Sequence, residues 1–254
     1  EQFCAYSAIA YLRGVSMADS FFNPHHVCSF DLETTGPNPR TARIVTSSCL
    51  NIDFPDTTSS AEPLIEAHNW LADPGCDIPA AASAVHGIST EKARTEGRPH
   101  QEVAEETVSC LYDAWEDNRA VIVYNASFDL TILRHWVPSF EIRGLVIDPY
   151  VIDRALDKYR QGRRTLTMVC AHYNVSLDNA HQADADALGA AQLALRLAET
   201  YPQLCTTPTA ELMTQQTEWQ KERQQSLRDY LARVGRNYST VETEWPLLGP
   251  LVED

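Results

Sequence analysis

Three separated segments of the 254-residue chain carry acids and a histidine that could share one site. They are Asp31-Leu32-Glu33, Asn125-Ala126-Ser127-Phe128-Asp129, and His181 followed by Asp186. Four carboxylates and one imidazole, brought together, can hold divalent cations and relay a proton. Cleaving a phosphodiester at neutral pH requires that an anionic substrate be neutralised and hydroxide be generated, and two divalent ions held by carboxylates can do both. The residue types therefore point to metal-assisted phosphodiester hydrolysis.

Each segment has a local logic and a plain structural alternative. Asp31 and Glu33 are two apart in a strand, so they leave one face while Phe30 and Leu32 leave the other; the alternative is a polar strand end running into the Thr34-Thr35-Gly36 turn. Asp129 follows a buried strand in the first turn of a helix, where the helix dipole alone favours a carboxylate. Asn125 and Phe128 beside it supply an orienting amide and an aromatic wall that can face a nucleobase. His181 lies in the lead-in to an Ala-rich helix, and an imidazole with an ordinary pKa near 6.5 can accept a proton from water at neutral pH. Asp186 and Asp184 are rival ligands in the first turns of that helix.

The elements that must position these groups are readable in part. A strand starts at Val27, and residues 41–53 and 61–68 are β-rich, followed by the turn Asp73-Pro74-Gly75. Ala104, Val108, Leu111 and Trp115 share one helical face. Val121-Ile122-Val123-Tyr124 has the continuous apolar character of a strand buried on both faces. Ser127 is expected to cap a helix through Leu130, Ile132 and Leu133, and Leu145-Val146-Ile147 to form a short strand leading into a helix after Pro149. Helical patterns follow Thr165 (Leu166, Val169, Cys170, Tyr173), span 184–200, and span 210–233, the last as a surface helix packed on the domain. The stretch 243–254 is expected to be irregular. Antiparallel strands first, then alternating helix and strand, give an α/β class with a mixed β-sheet flanked by α-helices.

Composition sets outer limits. The 44% hydrophobic and 22% charged fractions are those of an ordinary globular chain, and no apolar run approaches the roughly 20 residues of a membrane-spanning helix. The seven cysteines form no CxxC pair, which suggests neither a disulfide framework nor a zinc site and fits a reducing, cytoplasmic location. The net charge of −15 argues against broad electrostatic wrapping of nucleic acid. It is compatible with an acidic pocket that receives a phosphate once cations are bound. The expected contact is therefore a few nucleotides at a chain end. The first methionine is Met17, and residues 1–24 read as a leader or extension.

Asp31-Leu32-Glu33-Thr34-Thr35-Gly36, Val85-His86-Gly87-Ile88, Asn125-Ala126-Ser127-Phe128-Asp129 and His181-Gln182-Ala183-Asp184-Ala185-Asp186-Ala187 together resemble the motifs of the DEDDh exonucleases, a family that includes the proofreading subunit of bacterial replicative polymerase. The resemblance spans residues 27–199. It implies a ribonuclease-H-like fold and removal of nucleoside 5′-monophosphates from a 3′ end with two Mg2+ or Mn2+ ions. By this resemblance Asp31, Glu33, Asp129 and Asp186 are the metal-site carboxylates, with Asp31 shared by both ions, and His181 is the general base. The spacing after His181 selects Asp186 over Asp184. Leu32, Thr34 and Thr35, with Asn125 and Phe128, would line the pocket for the terminal nucleotide, and His86 would lie near its sugar or phosphate, a simple turn histidine being the alternative.

The domain reading is an extension at 1–24, an exonuclease domain at 25–203, and a helical extension with an irregular tail at 204–254. The expected partner is a nucleic-acid 3′ end, DNA favoured over RNA and single-stranded or frayed ends favoured over duplex, with a DNA polymerase or replisome as a possible docking partner. Two alternatives stand: an RNA-directed enzyme of the same chemistry, and a noncatalytic protein that keeps the fold to dock on a polymerase. The basic run Lys158-Tyr159-Arg160-Gln161-Gly162-Arg163-Arg164 reads as a solvated loop in preference to a phosphate track. Gln224-Gln225-Ser226-Leu227 is only a faint match to a sliding-clamp peptide and sits within a helical pattern. No GxSxG elbow, phosphate-cradling GxxxxGK[ST] loop or HExxH helix is present.

Overall fold

A computed structural model of the chain describes residues 20–56, 61–177 and 180–249. The leader reading of residues 1–19, including Met17, and the last five residues of the tail lie outside the described residues.

Strands β1 (His26–Thr34), β2 (Ile44–Asp53) and β3 (Leu64–Asp73) form an antiparallel meander. Strand β5 (Ala120–Ile122) lies parallel to β1 on its other side, and β6 (Val146–Ile147) lies parallel to β5. The two-residue β4 (Arg98–Pro99) completes a six-stranded sheet of order β4-β3-β2-β1-β5-β6. The helices are α1 (Ala80–His86), α2 (Thr90–Glu96), α3 (His100–Glu116), α4 (Ala126–Trp136), α5 (Pro149–Leu156), α6 (Leu166–His172), α7 (Ala183–Thr200), α8 (Gln203–Thr206) and α9 (Thr209–Arg233). Among the described residues, no helix is long and apolar enough to cross a membrane.

The sheet is apolar on both faces, and each face buries against helices. Cys28, Phe30 and Leu32 of β1 pack with Val103 and Leu111 of α3 and with Leu130 and Leu133 of α4. Val27 and Ile52 pack on the opposite face with Ala187, Ala191 and Leu193 of α7. Small side chains along α7 let it lie close on β1 and β2. The alternation read from β1 is therefore the alternation between two helical layers, and Asp31 and Glu33 follow the face that α7 covers.

Several boundaries differ from the sequence reading. β3 runs on to Asp73 because Thr46 to Asp53 of β2 pair with Leu64 to Leu71 and β4 pairs with Ala72 and Asp73, although half of its side chains are exposed and give no apolar signal. Helices α1 and α2 were not foreseen. Each has only seven residues, although Ser89 marks the start of α2 by accepting the Lys92 N–H at 3.1 Å. Ser127 does not cap α4. Asn125 occupies the cap position at φ 65°, and the backbone N–H groups of Asn125 and Ala126 each donate to the Asp148 carboxylate at 2.9 Å. That carboxylate also caps α5, behind which Pro149 starts the helix.

The segment after α8 shares the main cores. Leu212 and Trp245 are buried. Gln216 of α9 is fully buried, accepting the Asp148 N–H through Oε1 and donating from Nε2 to the Val146 carbonyl, both at 2.9 Å. Residues 243–249 have no regular structure, yet the Trp245 indole donates to Asp148 Oδ2 at 3.1 Å. At the other end Phe22 is buried, and the Ser20 carbonyl accepts the Thr209 N–H at 2.9 Å.

Candidate active site

The carboxyl ends of the parallel strands set the place. β5 stops at Ile122, opposite Ser29, so Asp31 and Glu33 on β1 extend beyond it. Into that space come the start of α4 with Asn125, Phe128 and Asp129, and the start of α7 with Asp186. Carboxylate oxygens of Asp31, Glu33 and Asp186 all lie within 4.8 Å of one another. Asp129 faces them from an adjoining cleft of about 320 Å³, which Asp31, Leu32, Asn125 and Phe128 also line.

Charges of one sign converge here. The Asp31 carboxyl is held well above the usual range by burial first, then by Asp129, Asp186 and Glu33. Burial, with Asp186 adding to it, pushes Glu33 up to about 7. Burial also raises Asp129, which is 4% exposed, with Glu33 adding to the effect and the Leu32 backbone and its own N–H opposing it. Asp186 is raised by burial, while the His181 N–H and ring charge act in the opposite sense. Asp186 Oδ1 is buried and has no hydrogen-bond partner among the described residues. Hard oxygen donors with like charges and one unsatisfied oxygen suit a divalent cation.

His181 is placed differently from the four acids. Its backbone is at φ 72°, its N–H donates to Asp186 Oδ2 at 3.2 Å, and its side chain is exposed at the rim, with no side-chain hydrogen bond among the described residues. Asp184 is exposed and accepts the Ala185 N–H at 2.9 Å, away from the carboxylate cluster.

The secondary positions divide. Leu32, Asn125 and Phe128 line the cleft. Thr34 and Thr35 hold the turn after β1, the first donating to the Gly36 carbonyl and the second accepting the Arg43 N–H, both at 3.0 Å. His86 is not in an open turn. It is the buried last residue of α1, its Nδ1 accepts the Ile88 N–H at 3.1 Å, and burial lowers its pKa with the Thr34 backbone opposing.

Four residues to which the sequence reading gave no part in the site complete the setting. Asp148 ties the β5–α4 junction to α5, to α9 and to Trp245, and burial pushes it up to about 6 despite these hydrogen bonds. Tyr124 and Tyr150 also line the cleft, ring centroids 5.6 Å apart. Arg164 lines it too, and the solvated-loop reading of its segment is corrected by the geometry. Arg160 and Arg164 both grip the fully buried Asp153, at 2.7 and 2.5 Å, while Lys158, Tyr159 and Arg163 remain exposed. The one clue was Asp153 itself, 7 and 11 residues before the pair that closes on it.

Comparison with known proteins bears on the family and the fold. The exonuclease family RNase_T matches residues 28–194. The PolC-type DNA polymerase III of Thermotoga petrophila is 26% identical over 204 residues, which is 79% of this chain and 14% of that protein. The chain thus spans about one seventh of the length of that curated relative. The E. coli exonuclease I complex with a dT13 oligonucleotide superposes with a TM-score of 0.54 at 19% identity, covering 70% of this chain and 42% of that one. Exonuclease I of Methylocaldum szegediense gives 0.55 at 20% identity, covering 71% and 42%. The mixed six-stranded sheet flanked by helices is accordingly a ribonuclease-H-like fold.

Proposed function

The chain belongs to the RNase_T exonuclease family, and from that premise we propose that it is a divalent-metal-dependent 3′–5′ exonuclease that releases nucleoside 5′-monophosphates from single-stranded or frayed DNA ends. The observation that carries the reading is the convergence of Asp31, Glu33 and Asp186 within 4.8 Å, with Asp129 in the adjoining cleft. DNA is favoured over RNA because the similar polymerase and the similar oligonucleotide complex are DNA proteins by name.

Two divalent ions, when bound, supply neutralisation of the scissile phosphate and lower the pKa of the attacking water. Asp31, Glu33, Asp129 and Asp186 would hold them, with Asp31 central because both Asp129 and Asp186 act on it. Phe128 and Leu32 offer an apolar wall to the terminal base, and Asn125 an amide at the cleft mouth. His181, exposed at the rim and tied to Asp186 through its backbone, is the group that accepts the proton from water and passes it to solvent.

The test uses matched DNA and RNA oligomers, each labelled at either end, with Mg2+ or with EDTA. Shortening from the 3′ end of DNA, abolished by EDTA and by Asp31→Ala, is expected. Release from the 5′ end would overturn the polarity, faster RNA turnover would overturn the substrate, and activity undiminished in Asp31→Ala would overturn the site.

A further inference from the structure

One residue lining the cleft is basic, in a chain whose net charge is −15. Arg164 is fixed there. Its guanidinium donates to the Asp153 carboxylate and to the carbonyls of Asp153, Asp157 and Arg160, while the Tyr124 hydroxyl donates to the Arg164 carbonyl at 2.7 Å. Next to it the Arg154 guanidinium lies 4.8 Å from the centre of the Tyr150 ring. Its Nε is buried without a hydrogen-bond partner, and Arg154 has no ion pair among the described residues.

A third cation arrives from α9, which packs along α5. Gln216 and Gln220 of α9 are buried, and Arg223 follows one turn further along the helix. Arg223 has no ion pair among the described residues, and its pKa is lowered by burial and then by Arg154 and Arg164, with Tyr150 opposing. Of four guanidinium groups on α5, the loop after it and α9, Arg160 and Arg164 pair with Asp153 and Arg160 also with Asp157, while Arg154 and Arg223 have no ion pair among the described residues. Of the two without an anion, Arg154 lies against the Tyr150 ring, which lines the same cleft as Asp31 and Asp129, and Arg223 stands on α9, which packs along α5.

We propose that Arg154 and Arg223 form, with the Tyr150–Arg164 wall, a subsite for a backbone phosphate of the substrate strand upstream of the scissile phosphodiester, so that α9 contributes directly to nucleic-acid binding. Arginine is suited to this because its fork matches phosphate oxygens and stays charged when partly buried. The subsite rests on the exonuclease reading above and deepens it. It gives an acidic protein a cationic surface confined to one or two phosphates.

The experiment compares two substrates: a single-stranded DNA oligomer, and thymidine 5′-monophosphate p-nitrophenyl ester, which has the scissile diester and no upstream phosphate. Arg154→Gln and Arg223→Gln are expected to raise KM for the oligomer about 3- to 10-fold each while leaving kcat and turnover of the ester unchanged. The slope of log KM against log salt should fall by about 0.7 for each arginine–phosphate pairing removed. Equal losses on both substrates would assign the arginines a structural role and overturn the subsite, as would an unchanged KM for the oligomer. If the unmodified protein hydrolyses neither substrate, the exonuclease reading fails. Fluorescence anisotropy with the same oligomer then decides the subsite separately: weaker binding by both variants supports it, and unchanged affinity sinks it.

Discussion

Asp31 bears repulsion from three other carboxylates while it is buried, so the cation-free site works against the fold. Replacing it by Asn removes that repulsion at nearly constant volume. Asp31→Asn is expected to raise the melting temperature in EDTA by a few degrees, and Mg2+ should raise that of the unmodified protein far more than that of the variant. Differential scanning fluorimetry with and without Mg2+ checks both. His181→Ala should lower kcat by roughly 10²- to 10⁴-fold, the usual worth of a general base, with the Mg2+-induced thermal shift retained. His100 illustrates a residue whose role depends on staying neutral. Its Nε2 accepts the Ile44 N–H at 2.9 Å, and burial, then Arg43, push its pKa down to about 4. The unfolded chain, with an ordinary histidine near 6.5, therefore takes up the proton first. Its contribution is complete above about pH 6.5 and is lost as pH falls toward 4, on the order of 3 kcal/mol in all. Urea unfolding of His100→Gln should show a flatter pH dependence across that window than the unmodified protein; parallel curves would rule the assignment out.

Elements gain their precision from contacts that are remote in sequence, and Asp148 is the main example. One carboxylate takes the N–H groups that open α4, caps α5 and receives the Trp245 indole. Asp148→Ala would strand these donors in a buried place, and a loss of about 3–5 kcal/mol in urea unfolding is expected. In Asp148→Asn, with one acceptor turned into a donor, the misplacement of α4 should lower kcat along with stability. The sequence displays Asp31 and Glu33 because their two-residue spacing is the strand period itself, and Asp129 because it follows a buried apolar run. It does not display Asp148, His100 or Gln216 in these roles, because the partners that give them these roles lie 22 to 97 residues away. Arg160 and Arg164 looked solvated for a related reason. A dense basic run is exposed by default, and only the helix that buries Asp153 reverses that. The outline of sheet and helices was legible from periodicity, while short α1 and α2 and the exposed β3 lacked a strong period.

Over the whole molecule, the region after α8 is built into both cores through Leu212, Trp219 and Trp245. We propose on this basis that the extension folds as part of the catalytic unit. A chain ending at residue 206 is expected to lose its cooperative thermal transition and to elute as aggregates in size-exclusion chromatography. A monomer with the original melting temperature would contradict this. The reason returns to Gln216. β6 is the outermost strand on its side of the sheet, and a strand in that position ordinarily presents unpaired amides and carbonyls to any passing chain. Here the Val146 carbonyl and the Asp148 N–H are taken by the two ends of one glutamine amide, and the Val146 N–H points to the Met213 sulfur at 3.3 Å. The opposite margin ends in a two-residue strand that includes Pro99. A helix side chain thus imitates a neighbouring strand along the β6 margin, whereas on the other margin β4 pairs only with Ala72 and Asp73 and, among the described residues, leaves Leu64 to Leu71 of β3 with no strand on that side.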